Sequence, residues 1–108
     1  MKKSLRHPQS RFYLYLTTAQ ADQVSRLQEA GLSVSTIGRQ AIRKCCDIPL
    51  VAEDDTPRPE RCNLYLTNDD VATLEKVATR ENCSKAMALR RLASTYLFIN
   101  ASAIDSLF

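Results

Sequence analysis

Arg11-Phe12-Tyr13-Leu14-Tyr15-Leu16-Thr17 recurs fifty residues later as Arg61-Cys62-Asn63-Leu64-Tyr65-Leu66-Thr67, with Arg, Leu-Tyr-Leu and Thr unchanged. In each copy apolar and polar residues alternate with period two, the pattern of a half-buried β-strand. Phe12, Leu14 and Leu16 share one face, and so do Cys62, Leu64 and Leu66. Arg11, Tyr13 and Tyr15, with Arg61, Asn63 and Tyr65, fall on the other. The opposite facing would bury arginine and tyrosine hydroxyls while exposing large apolar groups, so the aliphatic faces are expected to turn inward.

The repetition continues outward from the two heptapeptides. Val24 and Leu27 answer to Leu74 and Val77 at the same spacing. After one inserted residue, Ser33, Ile37 and Arg39 answer to Ser84, Ala88 and Arg90. Thr17 with Gln20 forms a capping-box pattern at a helix start, and Thr67 with Asp70 approximates one with a shorter acid. Apolar residues at helical spacing follow, namely Ala21, Val24 and Leu27 in one copy and Val71, Leu74, Val77 and Ala78 in the other. Gly31 and Asn82, both tolerant of positive φ, are the expected stops. Second helices are expected to begin at Ser35 and Ser84, with inner faces of Ile37, Ala41, Ile42 and Cys45 and of Ala88, Leu89, Leu92, Ala93 and Tyr96.

The expected fold is therefore mainly α with a two-stranded antiparallel β-ribbon, in the order β-α-α-linker-β-α-α, folded as an intramolecular pseudo-dimer. Residues 1–108 make a single domain. It divides into a basic arm (1–10), a first half (11–46), an acidic linker with three prolines (47–60), a second half (61–98) and an apolar tail (99–108). Fourteen linker residues reach roughly 40 Å or more when extended, enough to bring the second strand beside the first. In the carboxyl-terminal stretch from Leu97 to Phe108, Leu97, Phe98 and Ile99 are expected to prolong the last helix into the core, and Ile104, Leu107 and Phe108 to form a further apolar cluster.

Composition narrows the function classes. The chain has 108 residues, 44% hydrophobic and 25% charged, a globular balance. The net charge of +3 is unevenly spread: residues 1–44 carry eight basic against two acidic side chains, and residues 47–60 five acidic against one basic. Four cysteines, Cys45, Cys46, Cys62 and Cys83, form no CxxC pair, and the one histidine, His7, is remote from them. No metal or other cofactor is expected. No stretch has the roughly 20 apolar residues of a membrane span, and the Met-Lys-Lys start runs into polar sequence, so a reducing cytoplasm without a membrane partner is expected. Nucleophile-base constellations, paired carboxylates and glycine-rich phosphate loops are lacking, which reads as a non-enzyme.

A lone strand with two helices leaves both strand edges unpaired, and pairing two such strands over the helices leaves one ribbon face open. Here the chain resembles the ribbon-helix-helix (Arc/MetJ-type) DNA-binding superfamily, over residues 11–46 and 61–96. The resemblance is carried by Ser33-Val34-Ser35-Thr36-Ile37-Gly38-Arg39-Gln40-Ala41-Ile42. Its counterpart Ser84-Lys85-Ala86-Met87-Ala88-Leu89-Arg90-Arg91-Leu92 keeps the first serine and the arginine. The fused pair resembles single-chain tandem forms among relaxosome accessory proteins of conjugative plasmids.

The resemblance implies that the ribbon enters the major groove, with Arg11, Tyr13, Tyr15, Arg61, Asn63 and Tyr65 reading bases. It also implies phosphate anchoring at the starts of the second helices, by Ser33, Ser35, Ser84 and Lys85, with Lys2, Lys3 and Arg6 of the arm adding flanking contacts. Tyr13 against Asn63 makes the two outer faces unlike and implies unlike half-sites. The same Arg/Tyr face would also serve as a plain solvated sheet surface, but its recurrence in both copies favours a binding role. Arg39 and Arg90 read as solvated or salt-bridging helix positions.

The partner implied is double-stranded DNA, with self-association on it. The expected role is a transcriptional regulator acting as a repressor, nucleoid-associated when bound. One alternative is a relaxosome or mobile-element accessory factor. The other is an antitoxin or adaptor that captures a protein through residues 97–108.

Overall fold

The computed structural model describes residues 9–107. Along the chain they form β1 (Gln9–Leu16), α1 (Thr18–Glu29), α2 (Val34–Cys45), β2 (Glu60–Thr67), α3 (Asn68–Glu81), α4 (Lys85–Ile99) and α5 (Ala101–Asp105). The strands pair antiparallel in one two-stranded sheet, with Gln9 opposite Thr67, Tyr13 opposite Asn63 and Leu16 opposite Glu60. Leu14, Leu16, Leu64 and Leu66 are buried, and the alternate residues between them are exposed. Pairing follows from hydrophobic burial and backbone satisfaction together: each strand finds in the other both hydrogen-bond partners and the rest of an apolar face.

The core lies between this sheet and the helices. Ile37, Ala41, Ile42 and Cys45 of α2 meet Ala88, Leu89, Leu92 and Ala93 of α4, while Val24, Leu27, Leu74 and Val77 close the flanks. At Gly38 α2 packs close on β2: a Cβ there would lie 3.1 Å from both terminal methyls of Leu64. Helix ends follow local chemistry. Thr17 and Gln20 form a reciprocal capping box, and Thr67 accepts from the Asp70 amide. Gly31 (φ 106°) and Asn82 (φ 55°) take the left-handed turns that end α1 and α3. Ser33, not Ser35, caps α2, because its Oγ accepts the Thr36 amide.

The capping residues also tie the halves together. Gln20 Nε2 donates to Ser94 Oγ of α4 at 2.8 Å. At the corresponding place on the other side, Asp70 accepts from Arg43 of α2 at 3.0 and 3.2 Å. Each half thus reaches across to the second helix of the other, once through neutral groups and once through an ion pair.

The expected β-α-α-linker-β-α-α tandem is corrected. The described residues form a single two-stranded sheet and five helices, and α5 has no counterpart in the first half. The physical reason is the apolar content after Leu97. Ile104 is buried where α5 packs on α1, so the chain turns at Asn100 and adds a helix. Phe98 and Ile99, expected in the core, are instead exposed because the last turn of α4 presents Leu97 inward. Leu107 is exposed, and Phe108 lies outside the described residues.

The connecting segment is a docked strap. Ile48 and Leu50 pack against the core. The Val51 amide donates to Thr95 Oγ1 at 2.9 Å and its carbonyl accepts from Arg91 at 3.0 Å. Among the described residues no helix is long and apolar enough to cross a membrane.

Candidate nucleic-acid interface

The six outward residues of the ribbon form one exposed face. Arg11 stands opposite Tyr65, Tyr13 opposite Asn63 and Tyr15 opposite Arg61. Tyr13, Tyr15 and Tyr65 are 41%, 41% and 44% exposed, high values for aromatic side chains on a sheet. The two ends carry the same Arg/Tyr pair in reversed strand order, so the chemical difference between strands is confined to the centre. There Tyr13 organises the charge: the guanidinium carbons of Arg61 and Arg11 lie 4.8 and 5.3 Å from its ring centroid. Such cation–π contacts hold an arginine over a ring while leaving its N–H edge free to donate.

Antiparallel strands lie about 4.8 Å apart, so a two-stranded ribbon with one layer of side chains fits a major groove about 12 Å wide. Arg11 and Arg61 offer bidentate donors suited to guanine O6 and N7. Asn63 offers a donor and an acceptor suited to adenine. Tyr15 and Tyr65 each present a hydroxyl on an apolar ring.

The expected phosphate anchors separate into different environments. Ser33 is exposed and its hydroxyl is engaged twice, accepting the Thr36 amide and donating to Thr36 Oγ1 at 2.9 Å. Ser35 lies inside the first turn of α2, where its Oγ accepts the Tyr65 amide at 2.9 Å. It therefore supports the ribbon backbone and is half-buried. Ser84 caps α4 through the Met87 amide. Lys85 is exposed and 3.5 Å from Glu75. Lys2, Lys3 and Arg6 lie outside the described residues.

Several arginines outside the expected site residues support the ribbon or its surroundings. Arg39 donates to the Tyr65 carbonyl at 3.0 Å, and Arg58 to the Tyr15 carbonyl at 3.4 Å. Arg90 is turned to Glu53 at 2.9 Å. The signal available for Arg39 was the repeat itself, in which Arg90 answers to it. Arg58 has no counterpart and carried no such signal.

The thiols are all free, and burial pushes those of Cys45 and Cys62 above their ordinary range, Cys46 adding to the effect at Cys45. Among the described residues no group of His, Cys, Asp or Glu is placed to hold a metal ion. A cleft of about 750 Å³ lies at the start of α3 and is lined by Arg43, Thr67, Asn68, Asp69, Asp70 and Thr73. Its arginine and buried carboxylate are already paired with each other.

No protein-family model matches the chain, and no curated protein and no solved structure matches it.

Proposed function

We propose that this protein binds double-stranded DNA by laying the outer face of its β-ribbon in the major groove, as a transcriptional regulator of the repressor type. The observation that carries the reading is the exposed face of Arg11, Tyr13, Tyr15, Arg61, Asn63 and Tyr65 on the side of the sheet away from the core. Two arginines and an asparagine on a ribbon of groove width supply base-edge donors that a plain solvated face would not require. The resemblance of the ribbon and of the α2 start to Arc/MetJ-type proteins supports the same reading. Four unpaired thiols support a reducing cytoplasm as its setting.

The face supports a site with similar outer positions, where Arg and Tyr recur, and unlike central positions, where Tyr13 meets Asn63. Selection of bound duplexes from a random pool tests this directly. The expected result is a short, nearly palindromic consensus with an asymmetric centre, bound less tightly as salt rises. Absence of any preferred sequence refutes the reading. Genomic fragments then separate the roles: capture of the neighbouring promoter fits a repressor, and capture of a transfer origin fits a relaxosome accessory factor.

A further inference from the structure

The two ends of the ribbon are held by different parts of the chain. At Tyr65 both backbone groups are taken by α2: the amide donates to Ser35 Oγ at 2.9 Å, and the carbonyl accepts from Arg39 Nη1 at 3.0 Å. At the other end Tyr15 would look to the matching positions of α4, which are Ala86 and Arg90. Ala86 has no acceptor for the Tyr15 amide, and Arg90 is drawn to Glu53 at 2.9 Å. The Tyr15 carbonyl is met instead by Arg58 of the strap at 3.4 Å.

Arg58 is placed by its own network. Its Nη1 also donates to Gln20 Oε1 at 3.0 Å, the oxygen that accepts the Thr17 amide in the α1 capping box. Its Nε lies 3.5 Å from Glu53 Oε1, and the two side chains are 14% and 25% exposed. A guanidinium so far withdrawn from water requires a nearby carboxylate, and Glu53 supplies it. Glu53 Oε1 thus accepts a hydrogen bond from Arg90 and stands at ion-pair distance from Arg58, whose Nε makes no hydrogen bond, so one strap carboxylate neighbours both arginines.

We infer that Arg58, set by Glu53, is a positioning residue for the Tyr15–Arg61 end of the ribbon, making the strap a determinant of base preference at that end. Its functional consequence rests on the DNA-binding reading; its structural content does not. A strand end held by one longer bond from a strap is more easily displaced than one held by two bonds from a core helix. A displaced backbone carries the Tyr15 side chain and its cross-strand neighbour Arg61 with it.

The test uses full-length Arg58→Ala, Ala86→Ser and the double variant, each followed by amide hydrogen exchange and by random-pool selection. In Arg58→Ala, amides of residues 14–16 and 60–62 should exchange about tenfold faster, the scale of one charge-assisted hydrogen bond, while residues 11, 12, 64 and 65 keep their rates. Discrimination should fall about tenfold at the outer base pairs of one half-site only. Ala86→Ser, at the position that answers to Ser35 in the repeat, should restore both. Unchanged exchange, equal loss at both ends, or no restoration by Ala86→Ser overturns the inference. Should Arg58→Ala fail to fold, Ala86→Ser alone decides: slower exchange confined to the Tyr15 end supports the inference, and no change refutes it. A wild-type protein with no preferred sequence refutes DNA reading, and the exchange pattern then judges the positioning role by itself.

Discussion

Replacing Asp70 by alanine removes the carboxylate that joins α3 to α2. Asp70 is 3% exposed and accepts from Arg43 Nε at 3.0 Å, Arg43 Nη2 at 3.2 Å and Thr67 Oγ1 at 2.9 Å. A hydrogen bond involving a charged group contributes about 1.5–3 kcal/mol. An acid in the first helical turn adds about 0.3–1 kcal/mol through the helix dipole. The Arg43 side chain is 55% exposed, so water takes over much of its solvation once the carboxylate is gone, and the sum must be discounted. The expected loss is about 2–3 kcal/mol, less than the about 3–5 kcal/mol for a pair buried on both sides. With a urea m-value of about 1–3 kcal/mol/M, the unfolding midpoint should fall by about 0.7–3 M at unchanged m. Asp22→Ala is the matched control, because its pair with Arg26 is an i,i+4 contact on the surface of α1, worth about 0.3–0.5 kcal/mol. If Asp70→Ala costs no more than Asp22→Ala, the ion pair does not hold the halves together and the account of their joining fails.

Three further outcomes are expected. Arg61→Ala should relax base preference by about 1–3 kcal/mol at one position while leaving the melting temperature within a degree or two of wild type, read by random-pool selection and calorimetry; a loss of folding would contradict its outward placement. Ile104→Ala should cost about 2–4 kcal/mol in urea unfolding, whereas Phe98→Ser at a 73% exposed position should stay within about 0.5 kcal/mol. Comparable effects of the two substitutions would show that α5 is not part of the core. Burial raises the Cys62 and Cys45 thiols above their ordinary value of 9.0, so the folded chain keeps protons that the unfolded chain releases. Their stabilising contribution is complete below that value and is lost as pH rises through it and beyond. The urea midpoint should therefore fall less on going from about pH 7 to pH 10 in a Cys45→Ala/Cys62→Ala variant than in wild type, and an equal fall would refute the assignment.

Much of the candidate interface was legible because a strand advertises its facing locally. Leu14, Leu16, Leu64 and Leu66 had to turn inward together, which left Tyr13, Tyr15 and Tyr65 outward whatever else the chain did. Helix starts at Thr17, Thr67 and Ser84 were equally local, since a cap is a contact between residues three apart. Ser35 is ambiguous for the same reason: two serines stand at the start of α2, and only the nearness of the Tyr65 amide decides that Ser33 caps while Ser35 reaches across. Phe98 and Ile99 face outward against expectation because apolar character does not reveal which way the last turn of a helix faces.

Periodicity and the fifty-residue repetition by themselves determined the two strands, four of the helices and the polar face of the ribbon, because each depends on side chains that are neighbours along the chain. Tertiary structure alone decided the antiparallel register that centres Tyr13 on Asn63, the fifth helix, and the strap that carries Arg58 to Tyr15. Those depend on which groups, tens of residues apart, come within hydrogen-bonding distance once the core has closed, and no local spacing encodes that distance.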